Sequence, residues 1–209
     1  RQNIHQVGEI IEFAEKLGAN YLEIANIQYY GWALKNVNAL LPTQEQITKA
    51  REVTNYYRKE RKDMKVFFVV PDYFATRPKA CMNGLGTTFL TINPDGVALP
   101  CNTANTLPLT FPNVKDFSVE QIWNDSEEFN YFRGDKWMKE PCRTCDEKDK
   151  DFGGCRCQAY ALTKDMHATD PVCIKSPNHG IINKKIEDSV IFADDKIVYR
   201  NRLNSLEFM

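Results

Sequence analysis

The N-terminal part of the chain alternates between helical and strand-like patterns of apolar positions. Apolar residues first recur at intervals of three and four, at Ile4, Val7, Ile11 and Ala14. This periodicity predicts an amphipathic helix. The helix should end at Leu17, because Gly18 can adopt the left-handed conformation that commonly closes helices. A short strand is predicted next, at residues 21–25.

A second helix and a second strand follow in the same order. Thr43 and Gln46 form a capping-box pattern, which predicts a helix start. The apolar side of this helix consists of Ile47, Ala50, Val53 and Tyr57. The run Val66–Val70 is continuously apolar, as in the buried strands of parallel sheets. Helix, strand, helix, strand is typical of α/β crossover units. Two such units cannot close a barrel, so we expect further strands upstream.

A β-hairpin is predicted near the middle of the chain. Residues 88–92 and 97–99 flank the sequence Pro94-Asp95-Gly96, whose composition is typical of a tight turn. Cys81 precedes this hairpin and Cys101 follows it. Reversal of the chain can therefore bring these two cysteines close together.

Beyond the hairpin, helical signals give way to turns. Ser118 and Gln121 form a second capping box. The helix that follows is expected to bury Val119, Ile122, Trp123, Phe129 and Phe132. Residues 141–177 are rich in turns and cysteines, and the tail shows a weak hairpin pattern at 190–193 and 197–199, around Asp194-Asp195.

The composition excludes several functional classes. A formal net charge of -1 over 209 residues argues against nucleic-acid binding, because nucleic-acid modules usually display a marked basic excess. No apolar stretch approaches the length of about 18 residues that crosses a bilayer, and residues 1–6 do not resemble a signal peptide. We therefore expect a cytoplasmic protein that binds neither nucleic acid nor membrane.

The cysteines carry the strongest chemical signal. There are seven of them, at Cys81, Cys101, Cys142, Cys145, Cys155, Cys157 and Cys173. An odd number cannot pair completely, and clustered cysteines in a reducing compartment favour metal binding over disulfides. Thiolates are preferred ligands of both zinc and iron–sulfur clusters, so one or two zinc sites are an alternative to clusters. Seven thiolates are one short of two sites with four ligands each.

Several segments resemble the SPASM domain, the auxiliary-cluster module of radical S-adenosylmethionine (SAM) enzymes that modify peptides. The similar pieces are Cys81, Asn93-Pro94-Asp95-Gly96, Pro100-Cys101, Ile122-Trp123, Cys142-x-x-Cys145, Gly153-Gly154-Cys155-Arg156 and Cys173. Family members commonly read C-x2-C-x5-C-x3-C in the core segment, and here Asp151 occupies the third cysteine position. Asp151 is therefore the candidate for the missing eighth ligand. The alternative is an ordinary solvated loop carboxylate.

Within this family, the sequence is most similar to the enzymes that join a glutamate and a tyrosine of a precursor peptide in pyrroloquinoline quinone biosynthesis. The similar segments are residues 28–34, 77–81 and 151–159. The resemblance covers roughly residues 1–180. It implies one auxiliary cluster on Cys81, Cys101, Cys155 and Cys157, and a second on Cys142, Cys145, Asp151 and Cys173, each [4Fe–4S] or [2Fe–2S].

The same resemblance implies an α/β fold with three regions. Residues 1–77 would be the remnant of a partial (β/α) TIM-type barrel, and residues 78–180 would form the SPASM domain with a β-hairpin and short helices. Residues 181–209 would be a C-terminal tail. Radical SAM enzymes bind their catalytic [4Fe–4S] cluster and SAM through C-x3-C-x2-C, which this sequence lacks. We therefore expect the C-terminal part of such an oxidoreductase, inactive when alone.

The resemblance also implies partners: the precursor peptide PqqA, the peptide chaperone PqqD and an external electron donor. Tyr29, Tyr30 and Trp32 are candidates for peptide contacts, although aromatic residues after a strand more often fill a core. The three histidines have no convincing partner spacing, and no catalytic residue is assigned. The alternative function is a non-catalytic module, stabilised by zinc or iron–sulfur, that binds a peptide or a partner protein.

Overall fold

The computed structural model describes residues 1–61, 63–193 and 196–204, which form two compact units. The first unit contains Arg1–Phe74 and the described residues from Asn183 onward. The second unit contains Ala75–Ile182. No helix within the described ranges is both long enough and apolar enough to cross a membrane.

The first unit is built from helices and a small parallel sheet. After a 3-10 turn, its elements are α1 (Val7–Lys16), β1 (Tyr21–Ala25), α2 (Trp32–Lys35), α3 (Val37–Leu40), α4 (Gln44–Glu60) and β2 (Lys65–Val69). Strands β1 and β2 pair in parallel, with Tyr21 opposite Lys65 and Ala25 opposite Val69. The predicted helix–strand alternation is confirmed. In the described part of the chain this sheet has two strands, so the barrel remnant stays a prediction.

Local signals explain where these helices begin and end. The hydroxyl of Thr43 accepts a hydrogen bond from Gln46 N at 3.2 Å, and Gln46 Oε1 accepts one from Thr43 N at 2.9 Å. This reciprocal cap begins α4. Helix α1 ends at Lys16, and Gly18 has a φ of +75°, as the sequence predicted. The apolar core comprises Val7, Ile11, Ala50, Met64 and Val66.

The two faces of the sheet differ in burial. Val66 is 5% exposed, but the neighbouring Phe67 is 52% exposed and stacks on Tyr21, with 6.5 Å between ring centroids. Helices α1 and α4 pack on one face only, and alternate side chains of a strand point to opposite faces. The expectation that residues 66–70 form a continuously buried strand is therefore wrong.

The second unit consists of short elements joined by turns. They are β3 (Thr91–Ile92), β4 (Ala98–Leu99), α5 (Val119–Asp125), α6 (Glu127–Asn130), α7 (Lys148–Asp151), α8 (Arg156–Thr163) and the start of α9 (Gly180–Ile191). Strands β3 and β4 pair antiparallel, which confirms the hairpin with shorter strands than expected. Its turn is closed by Asn93, whose Oδ1 accepts hydrogen bonds from Asp95 N at 3.0 Å and Val97 N at 2.9 Å.

The helix after the second capping box is divided in two. Ser118 and Gln121 form the predicted reciprocal cap. Helix α5 then ends because Ser126 is extended, and its hydroxyl donates a hydrogen bond back to Ile122 O at 2.6 Å rather than capping α6. Ile122 and Phe129 are buried as expected, but Val119 is 49% exposed, so its predicted burial is wrong. The buried aromatic and aliphatic residues join the hairpin in one core, which also includes Phe111, Phe132 and Cys157.

The C-terminal tail is helical where a hairpin was expected. Val190 and Ile191 belong to α9, and Phe192 N donates a hydrogen bond to Asp188 O at 2.8 Å. These bonds satisfy the backbone locally, without a partner strand. The hairpin prediction is therefore wrong for residues 190–191, which are helical, and for residues 197–199, which form no strand; its turn, Asp194-Asp195, lies outside the described residues.

Candidate metal centre

The four cysteines of the first predicted ligand set, Cys81, Cys101, Cys155 and Cys157, lie together in the second unit. Cys101 lies two residues after the end of β4, Cys155 occupies the N-cap position of α8 without a side-chain capping bond, and Cys157 lies in the first turn of that helix. Three pairs of these thiols, Cys101 with Cys157, Cys157 with Cys155, and Cys155 with Cys81, lie close enough for hydrogen bonding to shift their pKa values. Cys157 is 1% exposed within the apolar core, and the other three pack against that core. The hairpin thus brings Cys101 to cysteines far along the sequence. All seven cysteines are free thiols.

Hydrogen bonding shifts the pKa values of these four thiols in opposite directions, downward for two and upward for the other two. A hydrogen bond from Cys157 lowers the pKa of Cys101 to about 6, and Thr103 contributes a backbone N–H and a hydroxyl to the same sulfur. Hydrogen bonds from Cys157 and Cys81 lower the pKa of Cys155 well below its ordinary value. The same bonds, with burial, raise the pKa of Cys81 and Cys157. Two sulfurs are therefore poised as thiolates, and a bound metal would displace the protons of the other two.

The turn that leads into α8 depends on two glycines. Gly153 and Gly154 have φ values of +74° and +76°, in the left-handed region. A Cβ atom on Gly154 would lie 2.7 Å from the Cβ atoms of both Asp170 and Pro78. A Cβ on Gly153 would lie 2.7 Å from the ring of Trp137. Only glycine combines this backbone conformation with such close packing.

Asp170 connects the two ligand-bearing segments, a role that the sequence analysis missed. It is fully buried, and its Oδ2 accepts a hydrogen bond from Cys155 N at 2.8 Å. Its Oδ1 accepts from Gln158 Nε2 at 3.1 Å and from Val172 N at 3.0 Å. Its carbonyl oxygen accepts from Cys173 N at 2.9 Å. Burial raises the pKa of Asp170 to about 6. The sequence signal was only an acidic residue within the cysteine-rich segment.

The second predicted ligand set lines one small surface pocket. Its members there are Cys142, Cys145, Asp151 and Cys173, beside Thr169 and Lys175. Cys145 N donates a hydrogen bond to Cys142 O at 3.1 Å, so the C-x-x-C segment is a tight turn with both sulfurs facing the same pocket. The pKa values of Cys142 and Cys173 are raised, mainly because burial disfavours the charged thiolate.

Two polar side chains contact the sulfurs of this second set. Cys142 Sγ lies 3.5 Å from Thr169 Oγ1. Lys175 Nζ donates hydrogen bonds to Cys145 Sγ at 3.4 Å and to Asp146 Oδ1 at 3.2 Å. These contacts bring a hydroxyl and a cation to the rim of the second predicted ligand set.

Asp151 is the last residue of α7 and is half-buried. Its Oδ1 accepts a hydrogen bond from Gly153 N at 2.9 Å, which closes the turn toward α8. Its negative charge also contributes to the raised pKa of Cys142 and Cys173, so the carboxylate lies near both thiols. The structure thus places Asp151 among the cysteines of its predicted set.

The donor chemistry of both sets fits iron–sulfur clusters. Thiolates are the usual cluster ligands, and a carboxylate can replace one of them at a single iron. Among the described residues, no three histidine, cysteine, aspartate or glutamate side chains converge at the spacing that one metal ion requires. A cluster distributes its ligands over several iron atoms, so its thiolates need not converge on one point.

The three aromatic candidates for peptide contacts lie in the first unit. Tyr29 is 1% exposed and packs on Tyr73, with 4.9 Å between ring centroids. Tyr30 donates a hydrogen bond to Gln28 Oε1 at 3.0 Å, and Trp32 is in cation–π contact with Lys35. Tyr29 therefore serves the core of its unit, whereas Tyr30 and Trp32 retain exposed surface.

Comparison with known proteins places the cysteine-rich region in context. Residues 81–146 match the family model of SPASM, described as an iron–sulfur cluster-binding domain. The chain is also similar in fold to the crystal structure of Streptococcus suis SuiB bound to S-adenosylmethionine, with a TM-score of 0.62 and 17% sequence identity. That similarity covers 83% of this chain and 43% of SuiB, so the chain spans less than half of that protein.

Proposed function

We propose that this chain is the auxiliary-cluster part of a radical SAM oxidoreductase that modifies a peptide. The observation that carries the proposal is the presence of two four-residue ligand sets, seven of whose eight members are cysteines, in one compact unit. The match of residues 81–146 to an iron–sulfur cluster-binding domain supports it. The similarity in fold to a protein that binds S-adenosylmethionine supports the radical SAM assignment.

Each ligand set would hold one auxiliary cluster. Cys81, Cys101, Cys155 and Cys157 would hold the first, and Cys142, Cys145, Asp151 and Cys173 the second. Bound clusters would supply one-electron acceptors and donors. The protein would hold the ligands in position. Asp170 fixes the backbone at Cys155 and Cys173, and the glycine turn allows the segments that carry these two cysteines to approach closely.

The more specific proposal is that the complete protein is PqqE, the enzyme that links glutamate and tyrosine side chains of PqqA. Residues 28–34, 77–81 and 151–159 support this assignment by their resemblance to that enzyme. The link removes two hydrogens from the peptide, one as a hydrogen atom taken by a 5′-deoxyadenosyl radical and one as a proton plus an electron. The chaperone PqqD and an external electron donor would be its cytoplasmic partners.

Metal analysis tests the cluster proposal directly. The chain would be reconstituted anaerobically with iron and sulfide, and its iron, acid-labile sulfide and zinc would be measured beside electron paramagnetic resonance (EPR) spectra of the reduced protein. Two separate cluster signals with stoichiometric sulfide are expected. Stoichiometric zinc without sulfide would instead support the non-catalytic, metal-stabilised module.

The activity proposal requires the complete protein, because this sequence lacks the C-x3-C-x2-C motif. We expect the chain alone to form no 5′-deoxyadenosine from SAM with a strong reductant. The complete enzyme with PqqA should release 5′-deoxyadenosine and yield a peptide lighter by two hydrogens. A complete protein that cleaves SAM but leaves PqqA unchanged would reject the specific assignment and retain the general one.

A further inference from the structure

Arg156 is a buried cation within the cysteine-rich unit. It is 1% exposed and is the largest of the fully buried side chains. Its guanidinium donates hydrogen bonds to the carbonyl oxygens of Ala168 at 2.8 Å and Met166 at 3.1 Å, and also to that of Gly153. It also stacks on Trp137, 4.6 Å from the ring centroid. The ion pairs formed among the described residues do not include Arg156.

A buried charge is costly unless opposite charge or well-placed dipoles compensate it. Carbonyl oxygens and the Trp137 ring provide part of that compensation. Arg156 lies between the two ligand sets: it separates Cys155 from Cys157 in the chain, and it binds the carbonyl oxygen of Ala168, next to Thr169, whose hydroxyl is 3.5 Å from Cys142 Sγ. Its charge acts on Asp170 and on the thiols of Cys155, Cys142 and Cys81. Cys81 and Cys155 belong to the first ligand set, and Cys142 belongs to the second.

We propose that Arg156 is a shared cation that raises the reduction potentials of the clusters in both ligand sets. This inference rests on the proposed function. Reduction adds negative charge to a cluster, and a positive charge held nearby in a buried site stabilises the reduced form. Burial prevents solvent from screening that interaction, so one guanidinium can act on both sites at once.

Lys175 offers a matched comparison, because its charge lies near one set only. Its Nζ is 3.4 Å from Cys145 Sγ, and its side chain is 53% exposed. Solvent screens an exposed charge, so its effect should be smaller and confined to the second cluster.

The experiment compares Arg156→Gln, Arg156→Lys and Lys175→Gln in the reconstituted full chain, with midpoint potentials from EPR-monitored redox titration. Arg156→Gln should disfavour reduction of both clusters by about tenfold, or about 59 mV for each one-electron couple. Arg156→Lys keeps the charge and should keep both midpoints near those of the parent protein. Lys175→Gln should shift only the second midpoint, by less than about tenfold.

Different failures have different meanings. If the parent chain takes up no iron and sulfide, the proposed function fails. If the parent carries two clusters but Arg156→Gln moves neither midpoint, or only one, the shared-cation inference fails alone. If Arg156→Gln does not retain iron, the Arg156→Lys variant distinguishes the two explanations. Full iron content and parent-like midpoints in Arg156→Lys would support the role of charge. Loss of iron from Arg156→Lys would show that Arg156 acts only through its forked hydrogen bonds.

Discussion

The two ligand sets of the second unit differ in their surroundings, although they lie in the same compact fold. The first set consists of four cysteines whose thiols lie close enough to shift one another's pKa values, and one of them, Cys157, is part of the apolar core. The second set combines three cysteines with Asp151 around a surface pocket, beside the exposed Lys175. One set is therefore embedded in the packing that folds the unit, and the other lies at its margin.

Because of this difference, substitutions in the second set should impair metal binding with little effect on folding, whereas substitutions in the first set should impair both. A change at Cys157 alters a well-packed interior, where a new polar atom must find a hydrogen-bond partner. A change at Cys173 alters a half-buried side chain whose backbone is held by Asp170. The first site should therefore be the more sensitive of the two to substitution.

The largest expected effect is the loss of one cluster by a single ligand substitution. Cys157→Ser and Cys173→Ser should each remove about half of the bound iron, if each set holds one cluster, as proposed, and both clusters are of the same type. In the metal-free chain, Cys157→Ser should lower the free energy of unfolding by about 2 kcal/mol, and Cys173→Ser by less than about 1 kcal/mol. Iron analysis and urea denaturation measure these effects. Equal destabilisation by the two variants would remove the proposed difference between the sets.

The glycine turn between Asp151 and Cys155 should affect both sets at once. Gly154→Ala introduces a Cβ atom 2.7 Å from the Cβ atoms of Asp170 and Pro78, at a φ of +76°. It should therefore destabilise the chain by about 3 kcal/mol. Gly18→Ala is the matched control, because Gly18 has a φ of +75° but no atom within 4 Å of the added Cβ. It should cost about 1 kcal/mol. Comparable losses in thermal denaturation would show that the close approach is easily relieved.

Substitutions of Asp151 test whether this residue is the fourth ligand of the second set. At saturating iron and sulfide, Asp151→Ala should weaken the second cluster and leave the first largely intact, because the two sets share no residue. Asp151→Cys should keep the second cluster but shift its midpoint potential, since ligand type helps set that potential. Iron content and EPR of the reduced protein are the measurements. If parent and both variants give the same iron content, signals and midpoints, Asp151 is an ordinary loop carboxylate.

The smallest expected effect concerns thiol reactivity in the metal-free chain. With a pKa of about 6, Cys101 is mainly thiolate at pH 7, whereas the raised pKa values of Cys142 and Cys173 keep those thiols protonated. Cys101 should therefore be alkylated faster by iodoacetamide at pH 7, and its advantage should shrink as the pH falls below about 6. Peptide mapping by mass spectrometry measures the rates. Thr103→Val should slow the reaction at Cys101, and no effect would count against the hydrogen-bonded thiolate.

Local signals in the sequence were sufficient for much of the fold. The reciprocal caps at Thr43 and Ser118 and the turn at Gly96 depend on residues close in sequence, so they could be predicted. The exposure of Phe67 could not, because it depends on which face of the sheet the helices cover. The break at Ser126 depends likewise on packing, as both α5 and α6 bury residues in one core.

The candidate site, like the fold, could be predicted from the sequence only in part. The family resemblance implies both ligand sets from the sequence alone, whereas the cysteine count indicates only that metal sites are present. Asp170 and Arg156 could not be recognised as buried partners, because their contacts join segments whose approach is set by the glycine turn. Charged residues in a sequence are most often solvent-exposed, so burial of these two is a property of the tertiary structure.

The segment from Asp151 to Cys157 contains members of both proposed ligand sets, so the two clusters would be coupled in their assembly. Cluster loading at one set would fix part of the chain that the other set also needs, so the second loading event would lose less conformational entropy. Thermodynamic linkage then requires the coupling to be reciprocal: each filled set raises the affinity of the other by the same factor. Iron would accordingly distribute unevenly at substoichiometric supply, with chains that hold both clusters or neither outnumbering those that hold one.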